Sequence, residues 1–299
     1  MLDVCLLGCG GMLPLPERHL TALSVRLNGH RLLIDCGEGT QVAMHRFGVG
    51  FKSLDMILLT HLHTDHTAGL PGLLLTVGNA GRTDPLTVWG PPGTGALIEG
   101  VKTLAPEIRF PIRVLEGTDP FPFCGAVITP FPCLHRVPCR GYSLVLPRAG
   151  EFRPEQAKAL GVPPPLWRTL QKGMSVTCGD RTVAPEEVLG PPRKGIKLCY
   201  CTDTRPTPHI AEALTGADLA VLEGMYTDPA DQPNAEEKRH MMMREAAVLA
   251  GKAGVKQLWL THLSPKVTDP VTLPEEVRSL FPRTELGFDG KSTELNFSE

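Results

Sequence analysis

MILLTHLHTDHTAGLPG (Met56–Gly72) runs from greasy residues straight into His61, His63, Asp65 and His66, four metal-capable side chains within six positions. His61 and His63 sit two apart, so along an extended backbone they point the same way. Asp65 and His66 follow after a further turn and can face a neighbouring point. Two adjacent sub-sites are therefore expected. A zinc ion takes imidazole nitrogens and carboxylate oxygens in roughly tetrahedral sets, and a catalytic ion keeps one position for water. Four protein groups fill only part of two such shells, so the rest must come from elsewhere. The candidates are His135 in PCLHRVPCRGY, Asp203 in CYCTDTRP and His262 in WLTHLSP. A lone histidine after a strand is ordinarily a core or surface residue, and His19, His30, His45 and His209 are read that way. An HxHxDH match among ten histidines is too dense for that reading and points to a metal site.

Working outward, strand signals recur at 3–8, 22–37, 55–61, 86–91, 126–132, 141–147, 197–203, 219–224 and 257–262. The second is split by Asn28-Gly29, a dipeptide that accepts the positive φ angles of a two-residue hairpin turn. Helical signals lie between them in GTQVAMHRFG, TGALIEGVKTLAP, HIAEALTG and AEEKRHMMMREAAVLAGKAG. The class is α/β with antiparallel sections. Three strands end alike: MILLTHL, LCYCTDT and LWLTHLS each run from continuous apolar residues into Thr plus a metal-capable side chain. Strands apolar on both faces belong to sheets covered on both sides, and their exit ends are where such folds build sites. His61, Asp203 and His262 are thus expected to converge.

Lys and Arg number 30 against 32 Asp and Glu, so the net charge of −2 announces no polyanion partner; such a partner must be met by a local patch. The N-terminus has an acidic residue where an export signal wants positive charge, and no run of about 18 apolar residues could span a membrane. The nine cysteines are odd in number, scattered and without a CxxC pair. A reducing cytoplasm and structural thiols fit that usage, with Cys133, two before His135, as the one to check against a metal role. Between 150 and 195 the texture turns rich in Pro and Gly with a modest basic excess, which reads as an inserted arm or a plain surface excursion. GCGGML lacks the third glycine of a dinucleotide-binding turn.

THLHTDH resembles the metal motif of the metallo-β-lactamase superfamily, and the wider match points to its ribonuclease Z branch, the tRNA 3′-end endonucleases. The supporting segments are LGCGGMLPLPERH, LLIDCGEGTQ, THLHTDHTAGLPGLL, GRTDPLTVWGPPGTG, HRVPCRGYSL, TDTRPTPHI and AGVKQLWLTHLSPKV, which together span nearly the whole chain. The resemblance implies a four-layer αββα sandwich of two mixed sheets, one hydrolase domain over 1–299 with 150–195 as a substrate-binding arm. It implies one zinc held by His61, His63, His135 and Asp203, and a second held by Asp65, His66, Asp203 and His262, with manganese as the alternative metal. Asp35 would order the metal loops. His240 would assist the leaving group, and Glu223 would orient His240. Asp65 would help orient or deprotonate the attacking water.

The activity so implied is removal of 3′ trailers from precursor tRNA by attack of metal-activated hydroxide on phosphorus. It leaves a 3′-hydroxyl on the tRNA and a 5′-phosphate on the trailer. The arm, through Lys158, Arg168, Lys172, Arg181, Arg193 and Lys194, would hold tRNA phosphates across a homodimer, in a salt-sensitive, shape-reading contact. The chain departs from the family at Leu222, where a histidine usually precedes the glutamate, and at Met241 and Met242, where Ser-Thr usually follows the histidine. It also departs in the unbroken prolines of GVPPPLW. The competing readings are a phosphodiesterase for small or nonspecific substrates using the same metals, and a noncatalytic RNA-binding protein on the same fold.

Overall fold

The computed structural model describes residues 1–267 and 272–298. Its strands are β1 (Leu2–Gly8), β2 (Ala22–Leu27), β3 (His30–Ile34), β4 (Leu54–Leu58), β5 (Leu86–Trp89), β6 (Ile112–Leu115), β7 (Phe121–Phe123), β8 (Ala126–Cys133), β9 (Cys139–Arg148), β10 (Val176–Cys178), β11 (Arg181–Val183), β12 (Arg193–Cys201), β13 (Leu219–Glu223), β14 (Leu258–Thr261), β15 (Thr284–Leu286) and β16 (Lys291–Leu295). One seven-stranded sheet runs β16-β1-β2-β3-β4-β5-β6 and another runs β15-β14-β13-β12-β9-β8-β7. Both are mixed. β1, β2 and β3 pair antiparallel while β3 to β6 pair parallel, and β12 to β15 pair parallel while β7 and β8 are antiparallel. The β2–β3 turn has Asn28 at φ 52° and Gly29 at φ 85°, the double positive φ that the dipeptide predicts.

Contacts decide which faces are covered. The helices Thr40–Arg46, Leu70–Asn79 and Thr94–Leu104 lay Ala43, Met44, Leu73, Leu74, Val77, Ile98 and Val101 onto the first sheet around Leu33, Ile57 and Val88. The helix Met243–Lys252 packs on β13 and β14. Between the sheets, the Tyr142 hydroxyl donates to the Leu59 carbonyl at 2.7 Å, tying β9 to the exit of β4. β4, β13 and β14 are buried along nearly their whole length, which is why their sequences are apolar runs rather than alternations.

By compactness the chain divides into two units. The larger is Met1–Leu144 with Lys197–Asn296; the smaller is Val145–Ile196 with the last residues from Phe297. The smaller has its own apolar cluster of Ala157, Val162, Leu170, Val176, Val183 and Val188. It holds the helices Pro154–Ala159 and Pro164–Gln171 and the β10–β11 hairpin, none of which its Pro-rich texture announces. Both helices start on proline, where the missing N–H costs nothing.

One expectation is corrected. The helical signal over 235–254 is two helices, Gln232–Lys238 and Met243–Lys252, interrupted at Arg239 with φ 61°. A left-handed residue ends a helix, and the break takes His240 off any helix face and buries it.

Candidate metal centre

Each metal-capable residue of the opening motif is set by its local backbone. β4 runs out at Leu58, His61 and His63 follow in extended chain, and a short helix, Thr64–Thr67, turns Asp65 and His66 back toward them. From the second sheet, Asp203 leaves β12 and His262 leaves β14, with Glu223 at the end of β13 between them. Asp203 and His262 adopt φ 54° and 55°, as does Asp35 at 60° beyond β3. Asp and His are among the few residues that enter this region readily. Each turn aims a side chain across the strand ends instead of along the sheet.

Two donor clusters result. In one, ligand-type atoms of His61, His63, His135 and Asp203 lie within 4.8 Å of one another. His63 Nδ1 is 2.9 Å from His61 Nε2 and 3.3 Å from His135 Nε2. In the other, Asp65, His66 and His262 converge in the same way. His66 Nε2 stands 3.2 Å from His262 Nε2, and Asp65 Oδ2 is 3.4 Å from the latter. Asp203 serves both: Oδ2 is 3.8 Å from His61 and His135, while Oδ1 is 3.2 Å from His66 and 3.1 Å from His262. All seven residues named from the sequence are therefore brought together. A third grouping of Asp203, Glu223, His240 and His262 overlaps them. Cys133 joins no such group among the described residues; its sulfur lies 3.5 Å from that of Cys201.

The donor chemistry fits divalent cations. Ring nitrogens face ring nitrogens, which cannot all keep protons, and the buried Oδ1 of Asp203 makes no hydrogen bond. The far nitrogens are tied back: His66 Nδ1 to Asp35 Oδ2 at 2.9 Å, His262 Nδ1 to Glu223 Oε1 at 3.2 Å, His135 Nδ1 to the Arg239 carbonyl at 3.4 Å, and His61 Nδ1 to Thr60 Oγ1 at 3.1 Å. Such partners fix the tautomer and turn Nε2 inward, as metal-ligating histidines require. Burial, followed by the His66 charge, holds His61 well below the usual imidazole range, and burial lowers His135 as well. Burial also opposes charge on His66 and His262. There the Asp203 carboxylate, with Asp35 beside His66 and with Asp65 and Glu223 beside His262, outweighs it and lifts His66 to about 10 and His262 well above its ordinary value. The carboxylates thus draw positive charge to this spot, which a bound cation would supply without setting two N–H groups against each other.

Next to the clusters, His240 Nδ1 lies 2.5 Å from Glu223 Oε1. Glu223 is fully buried and its Oε2 accepts the backbone N–H groups of Met241 at 2.9 Å and Thr204 at 3.2 Å. Burial raises its pKa, but the His240 charge and the hydrogen bonds from His240 and His262 hold the carboxyl below its ordinary range. His240 moves up, since Glu223 overcomes the burial that disfavours its cation. Leu222, Met241 and Met242 are buried, with Met242 in a small cluster with Met225 and Tyr226.

Sequence reading missed the residues that hold the loops. Thr60 donates its N–H to Asp35 Oδ1 at 2.8 Å. Arg239 donates to the His135 carbonyl while its own carbonyl accepts from His135, a reciprocal clamp. Arg205 donates to the His240 carbonyl at 2.6 Å and forks onto Glu245. Only the neighbourhood of these arginines to the motif residues hinted at them.

A model described as the beta-lactamase superfamily domain matches residues 167–263, and one described as the anti-Pycsar protein Apyc1 matches residues 2–85. The chain is 49% identical to ribonuclease Z of Agathobacter rectalis over the full length of both. It is 50% identical to that of Lachnoclostridium phytofermentans, covering 100% of this chain and 99% of the relative. It is 42% identical to that of Clostridium acetobutylicum, covering 99% of each. The human tRNase Z short form superposes with a TM-score of 0.70 at 24% identity over 99% of this chain and 100% of its own, which shows the shared fold. The two mixed sheets are those of the metallo-β-lactamase fold, and the chain belongs to the ribonuclease Z family.

Proposed function

We propose that the chain is a metal-dependent endoribonuclease that removes 3′ trailers from precursor tRNA. The observation that carries this reading is the Glu223–His240 pair, 2.5 Å apart, beside a donor set complete for two cations. His61, His63, His135 and Asp203 would hold one zinc, and Asp65, His66, Asp203 and His262 the other; mixed imidazole and carboxylate donors favour zinc, with manganese as the alternative. Bound there, the two cations would supply Lewis acidity to the phosphoryl oxygens and make water acidic enough to serve as a nucleophile near neutral pH.

The chain's own groups do the rest. The Met12 N–H holds Asp65 Oδ2 at 2.9 Å, so Asp65 keeps a fixed orientation while it aligns the attacking water and takes up its proton. Glu223 Oε1 binds His240 Nδ1, which leaves the proton on Nε2 for the departing 3′-oxygen. Glu223 shifts the His240 pKa upward, the direction that favours a protonated ring able to act as a general acid. The products are a 3′-hydroxyl on the tRNA and a 5′-phosphate on the trailer. The small unit would act as the substrate arm, through Lys158, Arg168, Lys172, Arg181, Arg193 and Lys194, in a cytoplasmic homodimer. No helix among the described residues is long and apolar enough to cross a membrane.

Single-turnover cleavage of a trailer-bearing pre-tRNA, run beside hydrolysis of bis(4-nitrophenyl) phosphate, tests the reading. It expects trailer release at one position; turnover of the ester with uncut pre-tRNA overturns it in favour of a small-substrate phosphodiesterase.

A further inference from the structure

A cavity of about 260 Å³ opens over the donor clusters, and besides their imidazoles and carboxylates it is lined by Met12, Arg136 and Lys238. Asp65 and Asp203 line it, and Glu223 sits behind His240. The two cations of the proposed function would meet the scissile phosphate, whereas the flanking phosphates of a phosphodiester chain need cations at the rim to face them.

The nearby cations divide into two kinds. Arg205 and Arg239 are consumed by the fold, the first on Glu245 and the His240 carbonyl, the second on the His135 carbonyl. Arg136 is exposed and gives one N–H, from Nη2, to the Glu237 carbonyl at 3.1 Å; it pairs with no carboxylate among the described residues. That bond aims the guanidinium from the His135 loop toward the end of the helix Gln232–Lys238 and leaves most of its five donors unused. Lys238, half-buried at that helix end, has no hydrogen-bond or ion-pair partner among the described residues. A lysine in a last helical turn suits the helix dipole by itself, but an unpaired, half-buried ammonium beside an unsaturated guanidinium is also what binds a phosphate.

Position gives the subsite a direction. Arg136 follows His135, Lys238 precedes His240 by two residues, and the rings of His135 and His240 lie 5.4 Å apart. In the reaction proposed above, His240 gives its proton to the 3′-oxygen of the last tRNA nucleotide. The nucleotide at that side of the cavity is therefore on the tRNA side of the cut, and its own 5′-phosphate is the next anion along the chain. We infer that Arg136 and Lys238 form a phosphate subsite for the internucleotide linkage immediately 5′ to the scissile one. The inference rests on the tRNA-processing reading.

The experiment uses the full-length enzyme and its Arg136→Ala, Lys238→Ala and double variants, with Arg136→Lys as the conservative control. Substrates are a pre-tRNA with a neutral methylphosphonate at the linkage 5′ to the cut, or at the linkage 3′ to it. Each lost cation is expected to raise half-saturation about tenfold, with a smaller fall in kcat. The slope of log binding constant against log salt should shrink by about 0.7–1 per cation. The 5′ methylphosphonate should weaken binding to the wild type yet add little in the double variant, while the 3′ one weakens both equally. A 5′ methylphosphonate that costs the double variant as much as the wild type overturns the subsite with the function intact. Wild-type enzyme that leaves pre-tRNA uncut while hydrolysing bis(4-nitrophenyl) phosphate removes the function reading and the subsite with it.

Discussion

The donor clusters and the small unit are held together by different physics. In the first, polar groups are buried and each depends on the next: Asp203 stands between His66 and His262, Glu223 between His262 and His240, and Arg239 grips His135 from both ends. In the second, six buried apolar side chains make the core, with the Phe152 and Trp167 rings 5.3 Å apart on its flank. Among its exposed charges, Lys158 pairs with Glu155 and Arg181 with Glu187, both close in sequence. Changes in the first region should therefore be strongly non-additive, and changes at the separate surface pairs of the second nearly independent of one another.

The largest break in that contrast is Asp203→Ala, which removes the one residue common to both clusters. A fall in kcat/KM of about 10³-fold or more is expected, with metal content dropping in parallel, and adding His61→Ala should cost little further. Chelation should reproduce the loss and returned zinc reverse it. Apparent zinc affinity should weaken as pH falls, because protons compete for the imidazoles. Equal, additive losses would mean the clusters act separately. Next comes His240→Ala, expected to lower kcat on pre-tRNA by about 10²–10⁴-fold. The loss should be much smaller on bis(4-nitrophenyl) phosphate, whose leaving group departs without a proton; the same loss on both esters would deny His240 its proton-donor role.

Arg239→Ala sharpens the comparison at the margin of the site. Removing a partner that orients a ligand is expected to cost about 10–100-fold in metal affinity, read by competition with a chromogenic chelator. Arg239→Lys should recover part of it. The smallest effect on chemistry is expected from Leu170→Ala in the small unit. It should cost about 2–5 kcal/mol of that unit's stability, read as faster amide exchange over 154–188, and should raise half-saturation for pre-tRNA more than it alters ester hydrolysis. Exchange that rises equally around His61 and Asp203 would merge the two regions into one cooperative block.

The same division explains what could be read from the sequence. Buried parallel strands such as β4 and β14 are continuous apolar runs, and their Thr-plus-donor endings already pointed His61, Asp203 and His262 at one place. β16 (KSTEL) has one buried residue and exists because it pairs with β1 from the far end of the chain, a contact no local pattern encodes. The 235–254 segment looked like one helix because its composition is helical on both sides of Arg239. Nothing in an arginine signals a left-handed turn, and the stop is made by tertiary clamping of His135 and His240. Thr60 and Arg205 were invisible for the same reason: their roles are defined by Asp35 and Glu245, 25 and 40 positions away in the chain.

The left-handed conformations at Asp35, Asp203 and His262 restrict the alphabet available to evolution. A backbone at φ near 55° admits glycine, asparagine, aspartate and histidine more readily than other side chains, which lose about 1–2 kcal/mol there. A donor position asks for a carboxylate or an imidazole. At Asp203 two oxygens serve the two clusters, so an imidazole does not suffice and aspartate alone meets both demands: glutamate satisfies the chemistry and strains the turn, while asparagine satisfies the turn and loses the charge. Conformation and reactivity thus converge on one residue type, and it takes both demands together to hold aspartate in place.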